Sequence, residues 1–119
     1  VRDARKILGP QKIIGVSVKT PKEACIAAAD GADYLGAGAV FPTTTKSSDV
    51  IGLEGLRSVC ESADIPVVGI GGISADNAAS IMKAGSQGVA VVSQIFAAES
   101  PQVACEEFLD IVNPLALND

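Results

Sequence analysis

A chain of 119 residues is enough for one small domain, and its 48% hydrophobic content excludes a disordered segment. Aromatic residues make up only 3%, so the core has to be built from Val, Ile, Leu and Ala, the composition of buried parallel strands flanked by helices. The net charge of −5 comes without a Lys/Arg cluster or an aromatic ladder, which argues against nucleic-acid binding, and no apolar run is long enough to span a membrane.

The first residues do not form a signal peptide and read as the end of a helix. Val1, Ala4, Ile7 and Leu8 fall on one face, and Gly9-Pro10 stops it. A chain that opens inside a helix, without Met, predicts a preceding N-terminal part. Residues 12–18 form a short β-rich run. Thr20-Pro21-Lys22-Glu23 then starts a helix: Thr20 caps, Pro21 fits the first helical position and Glu23 completes a capping box. That helix ends near Gly31. A second strand over 33–40 leads into Phe41-Pro42-Thr43-Thr44-Thr45-Lys46, and a helix over 53–62 follows with Leu53, Leu56, Val59 and Cys60 on one face. A third strand over 66–73 has a glycine-rich end. Ser74 is placed to cap the next helix, which turns Ala78, Ile81 and Met82 inward and ends at Gly85. Residues 88–93 are the fourth strand. Ser100-Pro101 restarts a helix with Ala104, Phe108, Leu109 and Val112 as its apolar face, and the tail over 113–119 is expected to fray.

Four consecutive strand–helix units require parallel strands and right-handed crossovers. Strands apolar on both faces fit helices outside and a packed interior. The fold class is therefore α/β, either an open doubly wound sheet or half of a (β/α)₈ barrel. A complete barrel runs to about 250 residues, and the start within a helix favours the barrel over residues 1–119.

Ligands of parallel α/β proteins bind at the carboxyl ends of the strands. Thr43, Thr44, Thr45 and Lys46 stand at such an end, and hydroxyls with one ammonium suit a phosphate or pyrophosphate. Gly71-Gly72 lets backbone approach an anion closely, and Ser74 marks a helix N-terminus with free N–H groups. Val92-Ser93 ends the fourth strand with further donors, and Ser17 ends the first. Lys19 reads as a solvated surface residue. Asp49 and Glu54 read as solvated acids rather than metal ligands, and no paired carboxylates have metal spacing. The chain has no His, which removes the usual general base, most catalytic triads and most catalytic zinc sites. Cys25, Cys60 and Cys105 form no CxxC pair and read as buried, reduced thiols of a cytosol-like compartment. These groups bind anions and offer little acid–base chemistry, a pattern suited to stabilising a leaving anion.

Several blocks, in order, resemble the thiamine-phosphate synthase family: Ile14-Gly15-Val16-Ser17, Gly31-Ala32-Asp33-Tyr34, Val40 through Lys46, Gly52-Leu53-Glu54-Gly55-Leu56, Pro66 through Ile73, and Gly88 through Ser93. The resemblance implies a (β/α)₈ barrel, of which this chain is the last four strands. It also implies a reaction. A thiazole phosphate displaces pyrophosphate from an aminopyrimidine methyl diphosphate, by a dissociative route with Mg²⁺ on the pyrophosphate, giving thiamine phosphate. Ser17 and Lys46 then bind the pyrophosphate. Thr43 and Thr45 contact the thiazole phosphate, and Gly72, Val92 and Ser93 hold its phosphate. Lys19 stands where many members carry His. The magnesium carboxylates and the pyrimidine-gripping residues are expected in the N-terminal half, so this chain is expected to be inactive without it. The expected partners are that half, or further copies of the chain meeting through open sheet edges, besides the phosphorylated substrates. The expected compartment is the cytoplasm, or a plastid for a plant-type parent. Two other readings stand beside this one: the related thiazole tautomerase, which uses an active-site His absent here, and a non-catalytic phosphate-binding half-barrel.

Overall fold

The computed structural model describes residues 1–42 and 50–112. Its elements run α1 (Arg2–Leu8), β1 (Gly15–Val18), α2 (Pro21–Ala29), β2 (Tyr34–Ala37), α3 (Gly52–Ser62), β3 (Val67–Ile70), α4 (Ala78–Lys83), β4 (Gly88–Ala90), α5 (Ser93–Phe96) and α6 (Pro101–Val112). The strands are parallel and stand side by side in the order β1-β2-β3-β4. A doubly wound sheet reverses its strand order at a switch point. The unreversed order here is that of consecutive barrel strands and decides between the two expected architectures.

Local chemistry accounts for the element boundaries. Thr20 Oγ1 accepts the Glu23 N–H at 3.1 Å, and Pro21 occupies the first turn of α2. The Glu23 carboxylate reaches one residue further back than a capping box requires, accepting the Lys19 N–H at 2.8 Å. Gly31 and Gly85 follow α2 and α4 with φ of 107° and 110°, a backbone region that side chains disfavour. The strands are shorter than the apolar runs that contain them, because ladder pairing covers only three or four residues of each.

The core lies between one face of the sheet and the helices. Val18, Leu35, Ala37 and Val67 point into it from the strands, and Leu56, Val59, Ile81 and Phe108 from the helices. The opposite face is open, contrary to the expectation of strands packed on both sides. Tyr34 is 40% and Ile70 41% exposed there, and a Cβ added at Gly36 would meet nothing within 4 Å.

Four further expectations are corrected. Ile7 and Leu8 share a helical face, but nothing in the described residues covers it, and both are exposed. Leu109 is likewise exposed, and Ile111 packs against the core from α6. Cys25 is exposed rather than buried, while Cys60 and Cys105 are half-buried. Ser74 does not start α4, which begins at Ala78. The side chain of Asn77 takes over the turn: its Oδ1 accepts the Ser74 N–H at 2.9 Å and its Nδ2 donates to the Gly72 carbonyl at 3.0 Å.

Candidate functional site

Parallel register brings the four carboxyl ends to one rim. Val18 pairs with Ala37, Ala37 with Gly69, and Gly69 with Val89. Ser17 stands one residue inside that layer, exposed on the open face. Gly71-Gly72 and Val91-Val92 follow the last paired residues, Ile70 and Ala90, of adjacent strands.

Backbone hydrogen bonds continue beyond the ends of β2 and β3 and pin the rim. The Val40 N–H donates to the Ile70 carbonyl at 2.9 Å, and the Phe41 N–H to the Gly71 carbonyl at 3.1 Å. On the returning side, the Ile51 N–H donates to the Ala39 carbonyl at 2.8 Å and the Gly52 N–H to the Val40 carbonyl at 3.1 Å. The rim is thus pinned at Val40 and Phe41 on one side and at Ile51 and Gly52 on the other.

The two glycines of the β3–α4 turn are there because backbone passes directly over them. Gly71 has φ 99°, and a Cβ on it would stand 2.6 Å from the Ala39 Cα. Gly72 has φ 65°, and a Cβ would come within 2.7 Å of the Phe41 and Pro42 carbonyl oxygens. Any other residue at either position collides with backbone and adopts a disfavoured conformation.

The predicted site residues divide accordingly. Ser17, Gly72, Val92 and Ser93 all fall on the rim. Thr43, Thr45 and Lys46, with Thr44 and Asp49, lie outside the described residues. Val92 is 67% exposed, and its carbonyl accepts the Phe96 N–H at 2.9 Å, so it caps the short α5 that Ser93 begins. Lys19 is exposed at the end of β1, and Glu54 is exposed in the first turn of α3, the solvated placements expected of them. Among the described residues no three His, Cys, Asp or Glu side chains converge. The described rim thus offers backbone N–H groups, the Ser17 hydroxyl and the Lys19 ammonium to an anion, and no group of three carboxylates to a magnesium ion.

Sequence reasoning missed the charged cluster at the opposite end of the strands. The Arg5 guanidinium donates to the Gly9 carbonyl at 2.9 Å, the Lys12 carbonyl at 2.7 Å, the Gly31 carbonyl and Asp33 Oδ2 at 2.8 Å. Asp33 Oδ2 also accepts the Ile14 N–H at 2.7 Å. The Arg5 hydrogen bond, reinforced by that N–H, holds the Asp33 carboxyl below the usual range. This cluster ties α1 to the entry of β1 and β2, far from the rim. The available signal was an Arg at the inner edge of a predicted helix and an Asp directly before a strand, with nothing in sequence to pair them across 28 residues.

The family model for thiamine monophosphate synthase matches residues 1–95. A thiamine-phosphate synthase of Pyrococcus furiosus is 52% identical over 111 residues, 92% of this chain and 54% of that protein. A chloroplastic thiamine biosynthetic bifunctional enzyme of Arabidopsis thaliana is 56% identical over 96 residues, 77% of this chain and 18% of that protein. The solved structure of thiamine phosphate pyrophosphorylase from Pyrococcus furiosus matches with a TM-score of 0.86 at 49% identity, covering 97% of this chain and 55% of that one. The chain spans about half the length of the thiamine-phosphate synthases it matches.

Proposed function

The chain belongs to the thiamine monophosphate synthase family, and on that footing we propose that it supplies the thiazole-phosphate side of a thiamine-phosphate synthase active site. The reaction is an alkyl transfer. The C–O bond between the methylene of 4-amino-2-methyl-5-pyrimidinylmethyl diphosphate and its pyrophosphate breaks, and the electron pair leaves with pyrophosphate. The ring nitrogen of 4-methyl-5-(2-phosphoethyl)thiazole then bonds to that methylene carbon, giving thiamine phosphate.

The observation that carries this reading is the pinned rim. The strand ends that flank residues 43–49 are hydrogen-bonded on both sides, and Gly71-Gly72 lie against the Phe41-Pro42 backbone. In this reading Thr43 and Thr45 contact the thiazole phosphate, and Gly72, Val92 and Ser93 hold its phosphate group. Ser17 and Lys46 hold the departing pyrophosphate. Their work is to stabilise charge that develops as the C–O bond breaks, which requires fixed donors and no proton transfer at neutral pH. Magnesium belongs, in this reading, with carboxylates outside the described residues. Four further βα units complete the barrel and bring the pyrimidine diphosphate to the rim. The compartment is the cytoplasm, or a plastid for a plant source; no helix among the described residues is long and apolar enough to cross a membrane.

The test is formation of thiamine phosphate by this chain alone and by its mixture with the N-terminal half of the Pyrococcus furiosus relative. Product from the mixture only is expected. Full activity from the chain alone would overturn the shared site. Failure of the mixture, with no calorimetric binding of the thiazole phosphate by the chain, would overturn the assignment of this rim.

A further inference from the structure

The β3–α4 turn is held at both of its glycine carbonyls. The Gly71 carbonyl accepts the Phe41 N–H at 3.1 Å, and the Gly72 carbonyl accepts from Asn77 Nδ2 at 3.0 Å. Both peptide bonds that follow these carbonyls are trans, so each is planar with its N–H opposed to its C=O. Fixing the two carbonyls therefore fixes the N–H groups of Gly72 and Ile73, each aimed away from the group that holds the carbonyl before it. Among the described residues, neither N–H donates to a backbone acceptor. Gly72 is exposed, whereas the Ile73 side chain is 4% exposed and anchored in the core. The turn thus presents two adjacent backbone donors on a base tied down at both carbonyls and at Ile73.

The two ties differ in kind. The one on Gly71 joins backbone to backbone, whereas the one on Gly72 comes from a single side chain. Asn77 stands at the N-cap of α4, where an Asn side chain ordinarily accepts an N–H of its own helix, yet it makes no such bond. Both ends of its amide serve the preceding turn instead: Oδ1 accepts the Ser74 N–H at 2.9 Å while Nδ2 holds Gly72. Gly72, at φ 65°, has no side chain of its own to restrict it. We propose that Asn77 is a positioning residue for the phosphate of the thiazole substrate. It fixes the Gly72–Ile73 peptide, so that the Ile73 N–H joins the Gly72 N–H as a preformed pair of donors. The proposal deepens the assignment of that phosphate to Gly72 and rests on it. Asn77 itself touches no substrate atom in this arrangement. It removes the ordering cost that a loose glycine turn would add to anion binding.

The experiment uses the full chain mixed with the N-terminal half of the Pyrococcus furiosus relative, unmodified and as N77A and N77D, with circular dichroism to check that each folds. Calorimetry compares 4-methyl-5-(2-phosphoethyl)thiazole with the corresponding alcohol, which lacks the phosphate. N77A is expected to bind the phosphate ester roughly tenfold more weakly and the alcohol equally well. In synthesis of thiamine phosphate, its KM for the thiazole phosphate is expected to rise by about the same factor, with kcat and the KM for the pyrimidine diphosphate unchanged. N77D keeps an acceptor for the Ser74 N–H but sets a carboxylate oxygen against the Gly72 carbonyl. It is expected to lose at least as much as N77A at low salt, and to approach N77A at about 0.5 M salt, where its added charge is screened. Equal losses of ester and alcohol in N77A would assign Asn77 to folding alone and overturn the proposal. So would an N77D variant that binds the ester like the unmodified chain. An unmodified mixture that binds the ester no better than the alcohol would overturn the phosphate assignment itself, and this proposal with it.

Discussion

Tyr34 and Leu35 are neighbours on β2, yet Leu35 is completely buried and Tyr34 is 40% exposed. The same alternation separates Gly69 from Ile70 on β3. On the covered face each strand residue meets helix side chains: a Cβ added at Gly69 would stand 2.8 Å from Ile81 Cγ2 and 3.5 Å from Leu56 Cδ2. On the open face the equivalent addition at Gly36 meets nothing. The stability of the described fold therefore resides on one side of the sheet. The other side keeps apolar residues that a solvent-facing sheet would replace with polar ones, since an antiparallel or one-sided sheet alternates apolar with polar positions. The composition of the open face is that of a surface awaiting cover.

Mutations on the two faces test this directly. Leu56→Ala removes a fully buried side chain and is expected to cost about 2–5 kcal/mol in urea unfolding. Ile70→Ala, on the open face, is expected to cost about 1 kcal/mol or less. Equal losses at both positions would erase the distinction. A sharper pair uses identical chemistry. Gly69→Ala is expected to destabilise by about 1–3 kcal/mol through overpacking against Ile81. Gly36→Ala is expected to be neutral or to stabilise by up to about 1 kcal/mol, through loss of unfolded-state freedom. A penalty at Gly36 matching that at Gly69 would mean both faces are packed.

Two smaller effects concern the margins of the covered layer. Asp33 has a folded-state pKa depressed by Arg5 and the Ile14 N–H. Its contribution is thus complete above the unfolded-state value of about 3.9 and is lost as pH falls through the folded-state value. Thermal melts between about pH 6 and pH 3 should show an acid-dependent drop that Asp33→Asn flattens. An unchanged drop in that variant would assign it to other carboxylates. The last effect leaves stability untouched. Burial, with a smaller push from Glu61, raises the Cys60 thiol pKa, whereas Cys25 is exposed. A thiol reagent at about pH 8 is expected to label Cys25 before Cys60. The reverse order, read by peptide mass, would contradict the packing of α3 described above.

Much of the covered half was legible in the chain because its signals are local. Thr20-Pro21 and Glu23 carry their capping partners within four residues. Gly31 and Gly85 mark the positive φ at which α2 and α4 turn toward the next strand. Leu56 and Val59 share a helical face by spacing alone. At the rim, the glycine pair and the ends of the threonine-rich block were recognisable as motifs. Their mutual contact was not, because the Phe41 N–H meets the Gly71 carbonyl across 30 residues. Asn77 was passed over for a similar reason: its amide acts on Ser74 and Gly72 through a turn whose shape the sequence does not announce.

Periodicity and composition were sufficient for the α/β class and the parallel strands, which depend on residues close together in the chain, and motifs in a set order carried the resemblance to the family. They could not say which apolar face is covered. Leu35 and Tyr34, or Ile7 and Val1, differ only in what folds over them, and that is a property of distant segments. The strand order, the open face and the Arg5–Asp33 tie all arise when segments far apart in sequence come to lie together.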